Sequence, residues 1–201
     1  MKKQEQKFWR YLAFGISALF SPYVATAIFI VLVVYNYSTD LNQFLPWMMT
    51  FFAFAIVLPG AYVLWLMESH KVDDIHLGDL RDRRIPFLVA AISSLAGTIV
   101  LAMLNAVHPV FVISMIYTIN SIAIAIISQY WKISVHTGTF ASIATVTVII
   151  FGWSFWWLYL FLIPLAWSRI HRKRHTIWQT LAGAAVTSIL TLVTFEILRY
   201  F

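Results

Sequence analysis

Residues 138–167 read GTFASIATVTVIIFGWSFWWLYLFLIPLAW, a run without a single Asp, Glu, Lys, Arg or His. A helix of ~20 such residues already spans the ~30 Å hydrocarbon core of a bilayer. Five more apolar runs accompany it, at 11–35, 46–67, 86–104, 110–127 and 177–198. Most have the ~18–25 residues that a crossing needs. The chain of 201 residues is 61% apolar and 11% charged, against ~25% charged in a soluble domain. It cannot cover itself with polar groups, so lipid must be its main solvent. Backbone groups in lipid have to be hydrogen-bonded internally, and the runs lack the ten-residue alternation of a membrane barrel. The expected fold is all-α: a polytopic membrane helix bundle of six or seven transmembrane helices.

The number depends on 138–167, which is long for one tilted helix and short for two. Its middle, Phe151-Gly152-Trp153-Ser154, reads as a tight turn. Trp153, Trp156, Trp157 and Tyr159 beside it suit a membrane interface; the competing reading buries them at the centre of one helix. With a hairpin there are seven crossings, and segments 1–10, 68–85, 128–137 and 168–176 share one face. That face then holds 13 of the 14 Lys and Arg residues, leaving Arg199 opposite. A single helix would send Arg169, Arg172, Lys173 and Arg174 to the other side. Cationic loops stay cytoplasmic, which favours the hairpin and a cytoplasmic basic face. Residues 1–10 read as a basic cytoplasmic tail and 11–201 as a single integral membrane domain. The apolar run after the tail exceeds a signal-peptide core and no small-residue cleavage site is obvious, so the first helix is expected to be retained. The expected location is the inner membrane of a bacterial or archaeal cell.

The net charge of +6 therefore reports topology and a phosphate site rather than a nucleic-acid partner. The absence of Cys removes disulfides, iron–sulfur clusters, thiolate zinc sites and Cys nucleophiles. Reactive side chains concentrate in segments 68–86, 129–138 and 168–179. His136 and His175 stand close to expected helix starts, where free N–H groups favour anions. Arg side chains add bidentate donors matched to phosphate oxygens. Two His and several Arg with few carboxylates suit phosphate rather than a metal, so neither metal nor cofactor is expected.

The third segment has a further regularity. Ser168-Arg169, five residues, His175, three residues and Gln179 resembles the third signature of the type-2 phosphatidic acid phosphatase superfamily, S-R-x5-H-x3-D. Ser134-Val135-His136 resembles its P-S-G-H, with Ile133 and Val135 in place of Pro and Gly. Arg84-Ile85-Pro86 approaches its K-x6-R-P with one residue inserted, and Leu77 stands at the Lys position. The resemblance covers about residues 79–180. It requires an even number of crossings between successive motifs, which a hairpin at 138–167 supplies.

The resemblance implies a metal-independent phosphatase acting on a lipid phosphate. Polyprenyl or isoprenoid (di)phosphates, phosphatidic acid and phosphatidylglycerol phosphate all qualify. It implies His175 as nucleophile, forming a phosphohistidine, and His136 as general acid. Arg169, Arg84 and Ser134 would bind phosphate, with Lys132 and Arg81 as candidates for the missing Lys. Gln179 stands where the family has Asp: its amide can accept from the imidazole and fix the tautomer, but it adds no charge. Two other readings stay open. Basic loops such as His171-Arg172-Lys173-Arg174-His175 suffice to bind anionic headgroups without catalysis. Asp73, Asp74, Asp79 and Asp82 suggest a Mg²⁺-dependent prenyltransferase of the UbiA type, although a second Asp-rich loop is lacking. The expected partners are the membrane and a lipid phosphate, with the oligomeric state undetermined.

Overall fold

The structure, a computed structural model, describes residues 2–72 and 79–199, with side chains from residue 4. Among the described residues every regular element is helical. In order these are α1 (Lys2–Leu19), α2 (Pro22–Tyr37), α3 (Leu41–Phe51), a π-helical segment (Phe52–Val57), α4 (Leu58–Glu68), α5 (Leu80–Met103) and α6 (His108–Ile127). There follow α7 (Val135–Phe151), a 3-10 segment (Trp153–Phe161), α8 (Leu162–His171) and α9 (Ile177–Leu198). Five helical stretches are long and apolar enough to cross a membrane: Gln4–Tyr37, Leu41–Glu68, Leu80–Met103, His108–Ile127 and Ile177–Leu198. Val135–Phe151 is apolar but shorter. Ile28, Leu32, Ile92, Ile99 and Ile189 are each more than half exposed, a surface suited to hydrocarbon rather than water.

Two differences from the sequence reading stand at the N-terminus. Residues 2–10, expected as a tail, form the first half of α1. The run 11–35, expected as one helix, is interrupted at Phe20-Ser21. Pro22 is the cause: it lacks an N–H and disfavours helical geometry in the residue before it. Ser21 instead accepts the N–H of Val24 on its side chain at 3.3 Å, starting α2 afresh.

The chain divides into two compact units, one of Met1–Thr26 with Ile133–Leu192 and one of Ala27–Lys132 with Val193–Phe201. In the second, α5 and α6 form a hairpin, and an apolar core gathers Ile30, Val34, Trp47, Phe51, Leu101 and Val110. The π-helical segment there follows from Pro59. With Leu58 N–H bonded to the Ala53 carbonyl, the next donor in that register falls on a proline, which has none. The Phe54 carbonyl accepts instead from Ser93 Oγ at 2.6 Å, and Ala55 accepts from the Tyr117 hydroxyl at 3.1 Å. Side chains thus meet the rule that no backbone carbonyl goes unpaired in lipid.

In the first unit the uncharged run of 138–167 breaks at Gly152, inside the quartet that reads as a turn. Gly152 has φ of 98°, a left-handed conformation in which a Cβ is disfavoured. The chain then returns along α7: Tyr159 OH lies 2.7 Å from Thr145 Oγ1, each seven residues from the pivot. At ~1.5 Å per residue α7 is about 25 Å long. The returning arm, part of it drawn out to ~2 Å per residue in 3-10 geometry, is longer, about 33 Å. α9 lies parallel to α7. Thr187 Oγ1 donates to the Gly138 carbonyl at 2.8 Å, Ser142 meets Thr191 at 2.8 Å, and Thr145 donates to Ser188 at 3.2 Å. This hydroxyl seam joins helices that a lipid solvent gives little hydrophobic reason to associate. Gly183 permits the closest approach, since a Cβ there would stand 2.4 Å from the Ser134 carbonyl oxygen.

Candidate functional site

Parallel packing puts the starts of α7 and α9 at the same end of the first unit. Ser134 N–H donates to the Gln179 carbonyl at 3.1 Å, and Thr137 Oγ1 donates to the Thr180 carbonyl at 2.9 Å. His136 lies between these two anchors, in the first turn of α7, and is 8% exposed. His175 precedes α9 and is 7% exposed. The end of α8 is tied to the same place: the Arg169 carbonyl accepts from Arg174 N–H at 3.0 Å and from His175 N–H at 3.4 Å.

Gln179 selects the tautomer of the His175 ring. Its Oε1 accepts the backbone N–H of Thr176 at 3.1 Å, which identifies that atom as the oxygen, because an amide NH₂ cannot face a donor. The same oxygen lies 3.1 Å from His175 Nδ1. An amide oxygen only accepts, so Nδ1 carries a proton, and in the neutral ring the lone pair is then on Nε2. Gln179 also serves the helix. Its own N–H meets Thr176 Oγ1 at 3.3 Å, and together these bonds make a capping box that closes the first turn of α9.

The start of α7 is arranged differently. Ser134 is its N-cap residue, fully buried, yet its side chain makes no capping bond. Its Oγ is without a hydrogen-bond partner among the described residues. A buried hydroxyl in that condition costs about 1–3 kcal/mol, so it calls for an explanation. It stands at a helix N-terminus, where an anion is electrostatically favoured.

Arg169 is 1% exposed, and its Nη1 donates to Ser17 Oγ of α1, itself fully buried. Ser168 turns inward and donates to the Leu165 carbonyl at 2.8 Å. α1 runs antiparallel to the returning arm. Phe20 packs on Phe161 with ring centres 5.6 Å apart, while at the other end Trp9 meets Trp167 edge-on at 5.8 Å and His171 stacks on Trp167 at 5.1 Å. Arg172 lies over the Phe14 ring at 5.1 Å. Lys7 and Arg10 of α1 and Arg169, Arg172, Lys173 and Arg174 at and after the end of α8 thus lie toward one end of the unit, whereas α7 and the 3-10 segment contain no Lys, Arg, Asp or Glu.

The remaining site residues read from the sequence belong to the second unit. Arg81 and Arg84 are exposed at the start of α5, and Lys132 is half-buried after α6. The buried arginine of that stretch is Arg83, 3% exposed, its guanidinium over the Phe87 ring at 5.8 Å. Asp79 and Asp82 sit at the start of α5, while Asp73 and Asp74 lie outside the described residues. Among the described residues no group of three or more His, Asp or Glu is placed to hold a metal ion. Sequence reasoning passed over Thr176, Ser17 and Arg83. Thr176-x-x-Gln179 carries the capping-box spacing, and Ala13-x-x-x-Ser17 is the small-residue pattern of a close helix contact. The chain matches no protein-family model, no curated protein and no solved structure.

Proposed function

We propose that this protein is a seven-crossing membrane phosphatase that hydrolyses a lipid phosphate without a metal, through a phosphohistidine on His175. The five long helical stretches are joined in this reading by α7 and by the arm formed from the 3-10 segment and α8. The basic end faces the cytoplasm of a bacterial or archaeal inner membrane. The observation that carries the reading is the hydrogen bond from His175 Nδ1 to Gln179 Oε1, which in the neutral ring puts the lone pair on Nε2, the atom a nucleophile needs.

Nε2 attacks phosphorus and the bond to the lipid oxygen breaks. His136 gives its proton to that leaving oxygen. Water then attacks the phosphoryl group on His175, losing a proton to the now neutral His136, and phosphate departs. The Ser134 hydroxyl, the N-terminus of α7 and the Arg169 guanidinium supply donors for the non-bridging oxygens as charge develops on them. Arg84, Arg81 and Lys132 belong to this reading as phosphate ligands on the resemblance alone. The apolar outer surface lets substrate tails remain in the bilayer while the headgroup meets the basic end.

A second reading, a headgroup-binding protein without turnover, is favoured by the neutrality of Gln179 and by its engagement in the α9 cap. Phosphate release over a panel of polyprenyl phosphate, phosphatidic acid and phosphatidylglycerol phosphate, with and without EDTA, separates the two. Hydrolysis that survives EDTA and is blocked by orthovanadate is expected. Orthovanadate binding without hydrolysis of any lipid would support the binding protein, and a strict Mg²⁺ requirement would contradict both.

A further inference from the structure

α1 has no part in the signatures that mark the site, yet it reaches Arg169 from far along the chain. Ser17 and Ala13 are fully buried one turn apart, so this stripe of α1 lies against the rest of the unit. On that stripe the Ser17 hydroxyl accepts from Nη1 of Arg169. The direction is fixed, since a guanidinium has only donors. Helix side chains lean toward the N-terminus of their own helix, so Arg169 extends back along α8 and away from its carbonyl, the atom that holds His175 N–H. An acceptor at the far end helps to hold this long side chain in one orientation. Ser17 provides that acceptor and brings no negative charge with it, whereas an Asp there would neutralise the guanidinium. The seam around it is firm, with Trp9 against Trp167 and Phe14 under Arg172.

We propose that Ser17 is a positioning residue for Arg169, orienting its guanidinium toward a non-bridging phosphoryl oxygen, so that α1 is a working part of the site. This inference rests on the phosphatase reading. Its stake is geometric: a fork that is pre-oriented forfeits less entropy on binding an oxyanion than one that must be ordered by it.

The test compares wild type, Ser17→Ala, Arg169→Met and the double variant in detergent. It reads orthovanadate affinity, kcat and KM for a lipid phosphate that wild type hydrolyses, and the thermal midpoint. Ser17→Ala removes one oxygen atom and is expected to fold. Its orthovanadate affinity should fall at least about tenfold, as for a lost hydrogen bond to a charged group, with kcat reduced and the midpoint lowered as well, because the same buried bond is lost from the resting fold. In the Arg169→Met background, Ser17→Ala should have no further effect. Unchanged orthovanadate binding by Ser17→Ala would overturn the proposal, as would an equal loss in both backgrounds, because a packing role does not depend on the guanidinium. Should Arg169→Met not fold, an unaltered kcat in Ser17→Ala decides against it. If wild type neither binds orthovanadate nor hydrolyses a lipid phosphate, the phosphatase reading itself falls, and this inference with it.

Discussion

Two helices of one unit begin side by side and treat their first turns in opposite ways. At α9, Thr176 and Gln179 exchange hydrogen bonds and close the cap. At α7, Ser134 occupies the N-cap position with a buried hydroxyl that caps nothing. The first N–H groups of any helix lack intrahelical acceptors and need partners from elsewhere. α9 finds them in its own side chains. α7 keeps a buried donor at its positive end, the arrangement that receives an anion. One start is built for stability, and there Gln179 does double duty by fixing the His175 tautomer. The other gives up stability at the place where a phosphoryl group would be held.

This contrast can be broken at its strongest point first. In the proposed chemistry His136 is the proton donor at the open start, so His136→Ala should lower turnover of a lipid phosphate by about 10²–10⁴-fold. The loss should shrink for a substrate whose leaving group needs no proton, such as an aryl phosphate. An equal loss for both substrates would remove the acid role. A smaller and more discriminating effect comes from treating the two caps alike. Thr176→Ala should cost about 1 kcal/mol of stability, the usual worth of an N-cap side chain. Ser134→Ala should cost nothing in the thermal midpoint or raise it, since an unpaired buried hydroxyl is removed, while orthovanadate binding weakens about tenfold. Destabilisation by Ser134→Ala with unchanged orthovanadate affinity would show that both starts serve structure alone.

Much of the fold is legible in the sequence because lipid imposes it. Uncharged length marks the crossings, and the glycine at 152 marks the turn within 138–167. The π-helical segment is not legible. Pro59 signals trouble, but the remedy lies in Ser93 and Tyr117 on other helices, and no local pattern reports them. The break before Pro22 was visible as a proline inside an apolar run, yet only the structure shows that it separates α1 from α2. Spacing alone singles out His136, His175 and Gln179; the His175–Gln179 contact is local, whereas the bonds that flank His136 run to the start of α9, some forty residues on. Arg83 was recoverable by period: stepping back from Leu101 through Thr98, Ser94, Ala91 and Phe87 by threes and fours lands on Arg83 rather than Arg84. Ser17 was the hardest to see, because its partner is 152 residues away.

The most direct test is to look for phosphate bound covalently to the protein. Wild-type protein in detergent, mixed with a lipid phosphate in EDTA and quenched at alkaline pH where phosphohistidine survives, would be digested and its peptides weighed. A phosphoryl group on His175, absent from His175→Ala along with all phosphate release, is the result this account predicts. Phosphate release that persists in His175→Ala, or a phosphoryl group carried by a different residue, would contradict it.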